Sequence, residues 1–317
     1  MKRTSYVIVI LVALFAQGSM RAWSGPGHAA VAAMAYRELA GSSALRSKLT
    51  DLLKDHPAFK TWKKEFDATK QTFPAELDFG MFLFVRASTW PDEIRRTHDP
   101  KLRPFDHPNW HFVDYPLKPP AFSTGPSPMP TDDVLFGIAQ SAETLSNKNA
   151  PRVQRAAALS WLIHLVADLH QPLHAATLVT AQFPAPVGDQ GGNKFFIFQT
   201  ADQKNHAQPS KLHGFWDGRL GSDPVPDPIQ ARLDARMLQT KHSRSSLTEL
   251  SAGDDVKQWS FESRDEAIKD VYKFQNKTVK QKAVLPFGYV TNSHQVARRR
   301  LALAGYRLSD QLKKVQF

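Results

Sequence analysis

The chain has 317 residues, 41 basic and 30 acidic side chains, a formal charge of +11, and no cysteine. That length allows one large domain or two small ones. Without cysteine there is no disulfide and no thiolate ligand, so a metal would have to be held by His, Asp, Glu or backbone groups.

Lys2 and Arg3 precede an apolar run from Tyr6 to Ala16, followed by Gly18, Ser19 and Ala22. Roughly eleven apolar residues fall short of the ~20 that span a bilayer as a helix, so 1–22 reads as a secretory signal. A buried helix and an uncleaved anchor are the alternatives, and Met20, two places before Ala22, is an untidy residue for a cleavage site. Losing Lys2, Arg3 and Arg21 leaves 38 basic against 30 acidic residues, a charge of +8. A positive surface suits polyanions such as nucleic acid or anionic lipid, and it serves equally for solubility. The expectation is a secreted or periplasmic protein in which 23–317 form one domain, with no later apolar stretch long enough to span a membrane.

Apolar residues recur at three- and four-residue spacing over 27–39, 44–53, 131–147, 152–169 and 295–314, which predicts helices. Thr131, Asp132 and Asp133 supply a helix start with acidic groups against the dipole. The Pro-rich stretch 116–130 reads as a surface loop. The clearest strand signal is 193–200, where Phe195, Phe196, Ile197 and Phe198 follow a Gly-Gly turn. The fold expected is all-α, a single mainly helical domain with a small β-ribbon. On the last helix Arg298, Arg299 and Arg300 are placed away from Leu301, Ala304 and Leu308; this reads as a solvated face, with a polyanion-binding patch as the alternative.

The richest stretch is 159–176, LSWLIHLVADLHQPLHAA. His164 and Asp168 stand four apart and share one helix face, within reach of a common ion. Pro172 crowds the carbonyl of Asp168 and removes a donor, so the helix should kink or end there, which can turn His174 back toward the same centre. His170 points elsewhere and reads as structural. His213 and Asp217 repeat the four-residue spacing in KLHGFWDGRL. One such pair is weak evidence; two in a cysteine-free exported chain are harder to dismiss. Asp92 in ASTWPDEIR and His111 in NWHFVDYP bring the set to seven, beside tryptophans that should be partly buried, where a carboxylate needs a cation or a proton. His56, His98, His107, His206, His242 and His294 have no partner at helical spacing and read as surface or loop residues.

If the signal is cut after Ala22, the mature chain starts at Trp23, with His28 five residues on, in WSGPGHAAVAAMAY. A free α-amine has a pKa near 8, and with its own carbonyl oxygen it can chelate a metal in a five-membered ring. Only accurate processing would create that ligand.

From WSGPGH through ASTWPDEIR, WHFVDYP, the His164 to His174 segment, DQGGNKF and KLHGFWD to ARRRLALAGYRL, the sequence resembles the single-strand-specific zinc nucleases of fungi and plants, the S-one/P-one type. The resemblance spans essentially the whole mature chain. The missing cysteines set it apart from disulfide-bearing members and suggest a bacterial-type branch. It implies a helical fold shared with the bacterial zinc phospholipases C, and three Zn2+. One zinc would be held by Asp92, His111, His164 and Asp168, a second by His174, His213 and Asp217, and a third by the Trp23 amine and carbonyl, His28 and the other oxygen of Asp168. Ligand oxygens and imidazoles without thiolate keep zinc Lewis-acidic, as phosphodiester hydrolysis needs.

The resemblance also gives Arg95 the role of offsetting charge on the phosphoryl oxygens, and Asp92 a second role in orienting the attacking water. Phe112 would stack on a base whose edge Asp114 accepts, favouring single strands; core packing is the other reading of Phe112. The Gly191-Gly192-Asn193 turn would let backbone approach the site, or be a simple hairpin turn. The function implied is an endonuclease that cuts single-stranded DNA and RNA to 5′-phosphorylated products, with 3′-nucleotidase activity, acting as a monomer without a stable protein partner. A zinc phospholipase C is the nearest rival; it would start its ligand set further from the N-terminus and end it with Glu instead of Asp217. A non-catalytic protein stapled by zinc is the rival from another class.

Overall fold

The computed structural model describes residues 23–72, 78–95, 97–124, 131–223 and 226–316. The signal segment 1–22 lies outside the described residues. Eleven α-helices are present among the described residues: α1 (Gly25–Glu38), α2 (Ser43–Leu52), α3 (Phe59–Thr72), α4 (Phe79–Glu93), α5 (Val134–Ser146), α6 (Arg152–Leu169), α7 (Ala201–His206), α8 (Leu212–Asp217), α9 (Pro228–Lys241), α10 (Val256–Glu266) and α11 (Tyr289–Lys314).

The centre of the molecule is α1, whose residues Gly27 to Tyr36 are all buried. A helix that is apolar all round must be covered on every side, and α4, α6, α9 and α11 provide that cover. Alanines at 29, 30, 32, 33 and 35 let these neighbours come close. Contact with α11 is tightest at Gly305, where a Cβ would stand 2.6 Å from Met34 Sδ. Helix α6 is buried the same way from Arg155 to Leu169. Both therefore carry their polar residues into the interior, where each needs a partner.

Helix boundaries follow local chemistry. The Asp78 carboxylate caps α4 through Met81 N at 2.7 Å, and Asp133 caps α5 through Leu135 N and Phe136 N, which satisfies donors that a helix start leaves open. Pro91 sits in the last turn of α4, where it removes the donor that would otherwise bond Ala87 O. Helix α6 ends at Leu169, three residues before Pro172, as the sequence predicts.

The expectation of a single ribbon is too simple. Among the described residues eight short strands form three small sheets: β1 (Pro116–Lys118), β2 (Ser123–Thr124) and β3 (Thr177–Leu178) in the order β2-β1-β3; β4 (Phe196–Phe198), β5 (Ser210–Lys211) and β8 (Ala283–Val284) in the order β5-β4-β8; and a hairpin of β6 (Lys273–Phe274) with β7 (Lys277–Thr278). Part of the expected Pro-rich loop is thus strand β1, which runs parallel to β3 with Pro116 opposite Thr177; residues 125–130 lie outside the described set. That pairing ties the chain after His111 to the chain after His174. The last helix begins at Tyr289, six residues before the predicted start, behind Gly288 at φ 84°.

Arg300 is not on a solvated face. It is 2% exposed and pairs with Glu262 at 3.0 Å, while Arg299 pairs with Glu249 at 2.6 Å. His56 is not a surface residue either: it is buried, stacked 4.2 Å from Trp62 and edge-on to Trp90. No helix of the described residues is long and apolar enough to cross a membrane.

Candidate metal centre

The buried histidines and aspartates expected to hold metal converge from six segments. His28 comes from α1, Asp92 from the last turn of α4, His111 from the loop before β1, His164 and Asp168 from α6, His174 from the turn after α6, and His213 and Asp217 from α8. They form three groups that can each hold an ion, the first two sharing His164: His28 with His164 and Asp168; Asp92 with His111 and His164; and His174 with His213 and Asp217.

Asp168 is the hub. Its Oδ2 lies 3.0 Å from His111 Nδ1 and 3.0 Å from His164 Nε2, and those two nitrogens are themselves 3.0 Å apart. Asp92 Oδ1 completes the group at 3.8 and 3.9 Å from the same nitrogens. These separations bracket the edge of about 3.3 Å for a tetrahedron with ~2.05 Å bonds. Asp168 Oδ1 faces the other way, 3.3 Å from His28 Nε2. One carboxylate therefore presents one oxygen to each of two ligand groups.

The donor set fits a cation. Asp92 Oδ1, Asp168 Oδ1, His174 Nε2 and both ring nitrogens of His28 are buried without a hydrogen-bond partner. Buried polar atoms are normally paired, so their concentration at one place points to an ion. His111 Nε2 is also without a partner.

Backbone carbonyls fix the rings. His164 Nδ1 donates to Ser88 O at 2.7 Å, His174 Nδ1 to His111 O at 2.6 Å, and His213 Nδ1 to Gly191 O at 2.7 Å. In each case Nδ1 carries the proton and Nε2 is free to act as a ligand, the arrangement that orients metal-binding histidines. Gly191 can be there only as glycine, at φ +57° with its missing Cβ 2.4 Å from Leu173 O. The expected close approach of this turn is present, and its role is to hold His213.

Charge is shared unevenly across the cluster. Burial alone would lower the pKa of His164, but Asp168 and Asp92 outweigh it and raise it to about 9. Burial would raise Asp168, yet His164 and His174 pull it well below the carboxylate range. Burial pushes His111 down to about 4 and His213 to about 3. Asp217 is driven well above the carboxylate range by burial and by the charges of Asp168 and Asp92, against the hydrogen bond from Gln171.

Trp23 is fully buried, with its indole N–H on Ala167 O at 3.0 Å. Ser24 N donates to Asp217 O at 3.1 Å. The backbone at 23–24 is thereby pinned between α6 and α8, next to both aspartates.

Arg95 is half-buried beyond Asp92, with one guanidinium nitrogen 3.4 Å from Pro108 O. Its charge lowers the pKa of both His174 and His213, so it faces that group. Phe112 and Asp114 are half-buried next to His111. Burial, then the charge of Asp189, raises Asp114 to about 7. His170 stays out of the cluster, as expected: Nδ1 donates to Val166 O at 2.7 Å and Nε2 accepts from Arg307 at 2.9 Å.

Sequence reasoning missed Gln171 and Asp189. The Gln171 amide donates to Asp217 Oδ1 at 2.7 Å while its oxygen accepts from Leu173 N at 2.5 Å. It joins the turn carrying His174 to the helix carrying Asp217, and its place between His170 and Pro172 was the only available signal. Asp189 is buried, bonded to Leu178 N and to the Tyr272 hydroxyl, and anchors the start of the glycine turn.

Residues 23–316 match the S1/P1 Nuclease family. The chain is 24% identical over 245 residues to Endonuclease 1 of Arabidopsis thaliana, covering 71% of this chain and 73% of that protein. It is 23% identical over 252 residues to Endonuclease 3 of the same plant, covering 72% and 74%, and 25% identical over 167 residues to its Endonuclease 2, covering 50% and 51%. With the family matched over nearly all of 23–316, and a mainly helical domain bringing its buried histidines and aspartates together, the chain belongs to the S1/P1 nuclease family and is a nuclease of the hydrolase class.

Proposed function

We propose that the protein is an exported endonuclease that uses three zinc ions to cut single-stranded DNA and RNA to 5′-phosphorylated products and to remove 3′-phosphates from nucleotides. The observation that carries this reading is the orientation of Asp168, whose two oxygens face separate histidine groups across 3.0 and 3.3 Å, as a bridging ligand must. Zinc at these ligands would supply Lewis acidity toward phosphate oxygens and an acidified water at neutral pH.

The chain's own residues divide the remaining work. Arg95, on the side of His174 and His213, offsets negative charge that builds on the phosphoryl oxygens. Phe112 offers a half-buried ring on which an unpaired base can stack; this contributes ~1–3 kcal/mol and requires a base that is free of a duplex. Asp114 accepts from the base edge when ionised. Asp92, with Oδ1 at the cluster, both binds metal and orients the water.

Export and processing belong to the same proposal. A signal ending at Ala22 leaves Trp23 as the first residue, and the bonds from its indole to Ala167 O and from Ser24 N to Asp217 O support a new α-amine beside His28 and Asp168. The test compares single- and double-stranded oligonucleotides as substrates of protein beginning at Trp23, with and without chelator. Preferential cutting of single strands to 5′-phosphate ends, abolished by chelation, is expected. Zinc-loaded protein that cuts neither substrate overturns the reading.

A further inference from the structure

A second concave site lies on the far side of Trp161 from the metal cluster. It is a cavity of about 230 Å³ between the turn Arg103–Phe105, α5 and α6. One wall is aromatic: His107 and Trp110 stack at 3.8 Å and 11°, and Trp110 meets Trp161 edge-on at 5.2 Å. The Trp161 indole N–H is already bonded to Phe105 O at 3.0 Å, so that ring offers the cavity only apolar surface.

The other wall is polar and uncharged. Gln140, Ser141 and Thr144 line it from α5, and Gln154 from the start of α6. Ser141 is only 2% exposed, and its hydroxyl has no hydrogen-bond partner. Among the described residues no Asp, Glu, Lys or Arg lines the cavity, and burial holds His107 below the usual imidazole range, so it too is neutral near pH 7.

These features select a ligand class. A phosphate or carboxylate would find no cation there, and an acyl chain would leave the buried hydroxyl unpaired. A flat, uncharged heterocycle with donors and acceptors on its edge satisfies both walls, as unpaired bases do against aromatic rings and amide side chains. At ~30 Å³ per water the volume equals about eight waters, below the ~300–1,000 Å³ of drug-sized sites. One base fits.

We propose that this pocket is a nucleobase site, separate from Phe112 and Asp114, which takes an unpaired base of the substrate strand. The assignment rests on the nuclease reading and extends it. Trp161 contacts Trp110 on one side and the His111 ring, 5.3 Å away, on the other, so the base lies one indole from the metal cluster. Arg103, exposed, is next in sequence to the lining residue Pro104.

Binding can be read without turnover. Adenosine and cytidine, which carry no phosphoester to cut, are titrated into zinc-loaded full-length mature protein, following tryptophan fluorescence. A saturable change is expected, roughly fivefold weaker in Ser141→Ala and lost in Thr144→Phe, which fills the cavity from its rim. Phe112→Ala should leave this signal in place. Thr144→Phe should also raise KM for long single strands several-fold while leaving a dinucleotide substrate unaffected. Melting curves and zinc content identify a misfolded variant, and Gln154→Trp then serves as the second block. Absence of binding, or binding removed by Phe112→Ala and untouched by both blocks, overturns the proposal. Failure of the nuclease reading would appear separately, as nucleoside binding without hydrolysis.

Discussion

The imidazoles of His28 and His164 stack 4.1 Å apart and within 7° of parallel, although they come from different helices, and both direct a nitrogen at Asp168. His28 reaches Oδ1 and His164 reaches Oδ2. Stacking α1 against α6 at this point is therefore what divides the Asp168 carboxylate between two ligand groups. Substituting Asp168 by Asn removes the charge while keeping the shape. Zinc content should fall from three ions per chain to the one held by His174, His213 and Asp217, and nuclease activity should fall to background. Elemental analysis of the dialysed variant checks this.

Gln171 should act on one metal only. It bonds Asp217 Oδ1 and no other proposed ligand side chain among the described residues, and outer-shell partners typically contribute 10–100-fold in affinity. Gln171→Leu should weaken one zinc by roughly that factor and leave the other two unchanged. Competition against a graded series of chelators resolves the three; equal weakening of all would contradict the assignment.

Arg95 separates catalysis from stapling. A protein that only uses metal for stability has no need of a guanidinium facing His174 and His213. Arg95→Ala should lower kcat by ~10²–10³-fold, the range seen on removing one donor to a developing oxyanion, with zinc content and melting temperature preserved. A parallel loss of zinc would assign the residue to structure.

His56 sets a pH dependence away from the metals. Burial lowers its pKa to about 3, against about 6.5 in the unfolded chain. Below about pH 6.5 the unfolded chain takes up a proton that the folded chain refuses, so stability present above that pH is lost progressively toward pH 3. The loss is ~2 kcal/mol between pH 6.5 and 5. His56→Asn keeps an acceptor for Ala58 N, now bonded to Nδ1 at 3.1 Å, and cannot titrate. It should be less stable at pH 7 because the contacts with Trp62 and Trp90 are lost, with the gap closing as pH falls. Urea midpoints at pH 7, 6 and 5 test the sign.

Much of the candidate site was legible because several of its His and Asp side chains sit at helical spacing. His164 with Asp168 and His213 with Asp217 announce themselves at i,i+4, and Pro172 announces the turn that brings His174 back. Other parts had no local signature. Helix α4 is buried around its circumference from Gly80 to Pro91, with Arg86 inside that stretch, so it shows no clean period, and α8 is only six residues long. The strands pair across long separations, β1 with β3 and β4 with β8. Gln171 matters only because Asp217, 46 residues away, folds against it. His56 and Arg300 were misjudged because packing decides their burial: His56 lies between Trp62, six residues on, and Trp90, and Arg300 against Glu262, none of them at helical spacing from the residue it covers.

The proposed trinuclear zinc centre has a third site that exists only when the chain begins at Trp23. Its most direct test is the zinc stoichiometry of two purified proteins, one starting at Trp23 and one carrying a single extra residue before it. Three ions per chain in the first and two in the second, with activity lost in the second, is the predicted result. Equal stoichiometry in both would contradict the role given to the Trp23 amine, and no zinc in either would remove the metal centre itself.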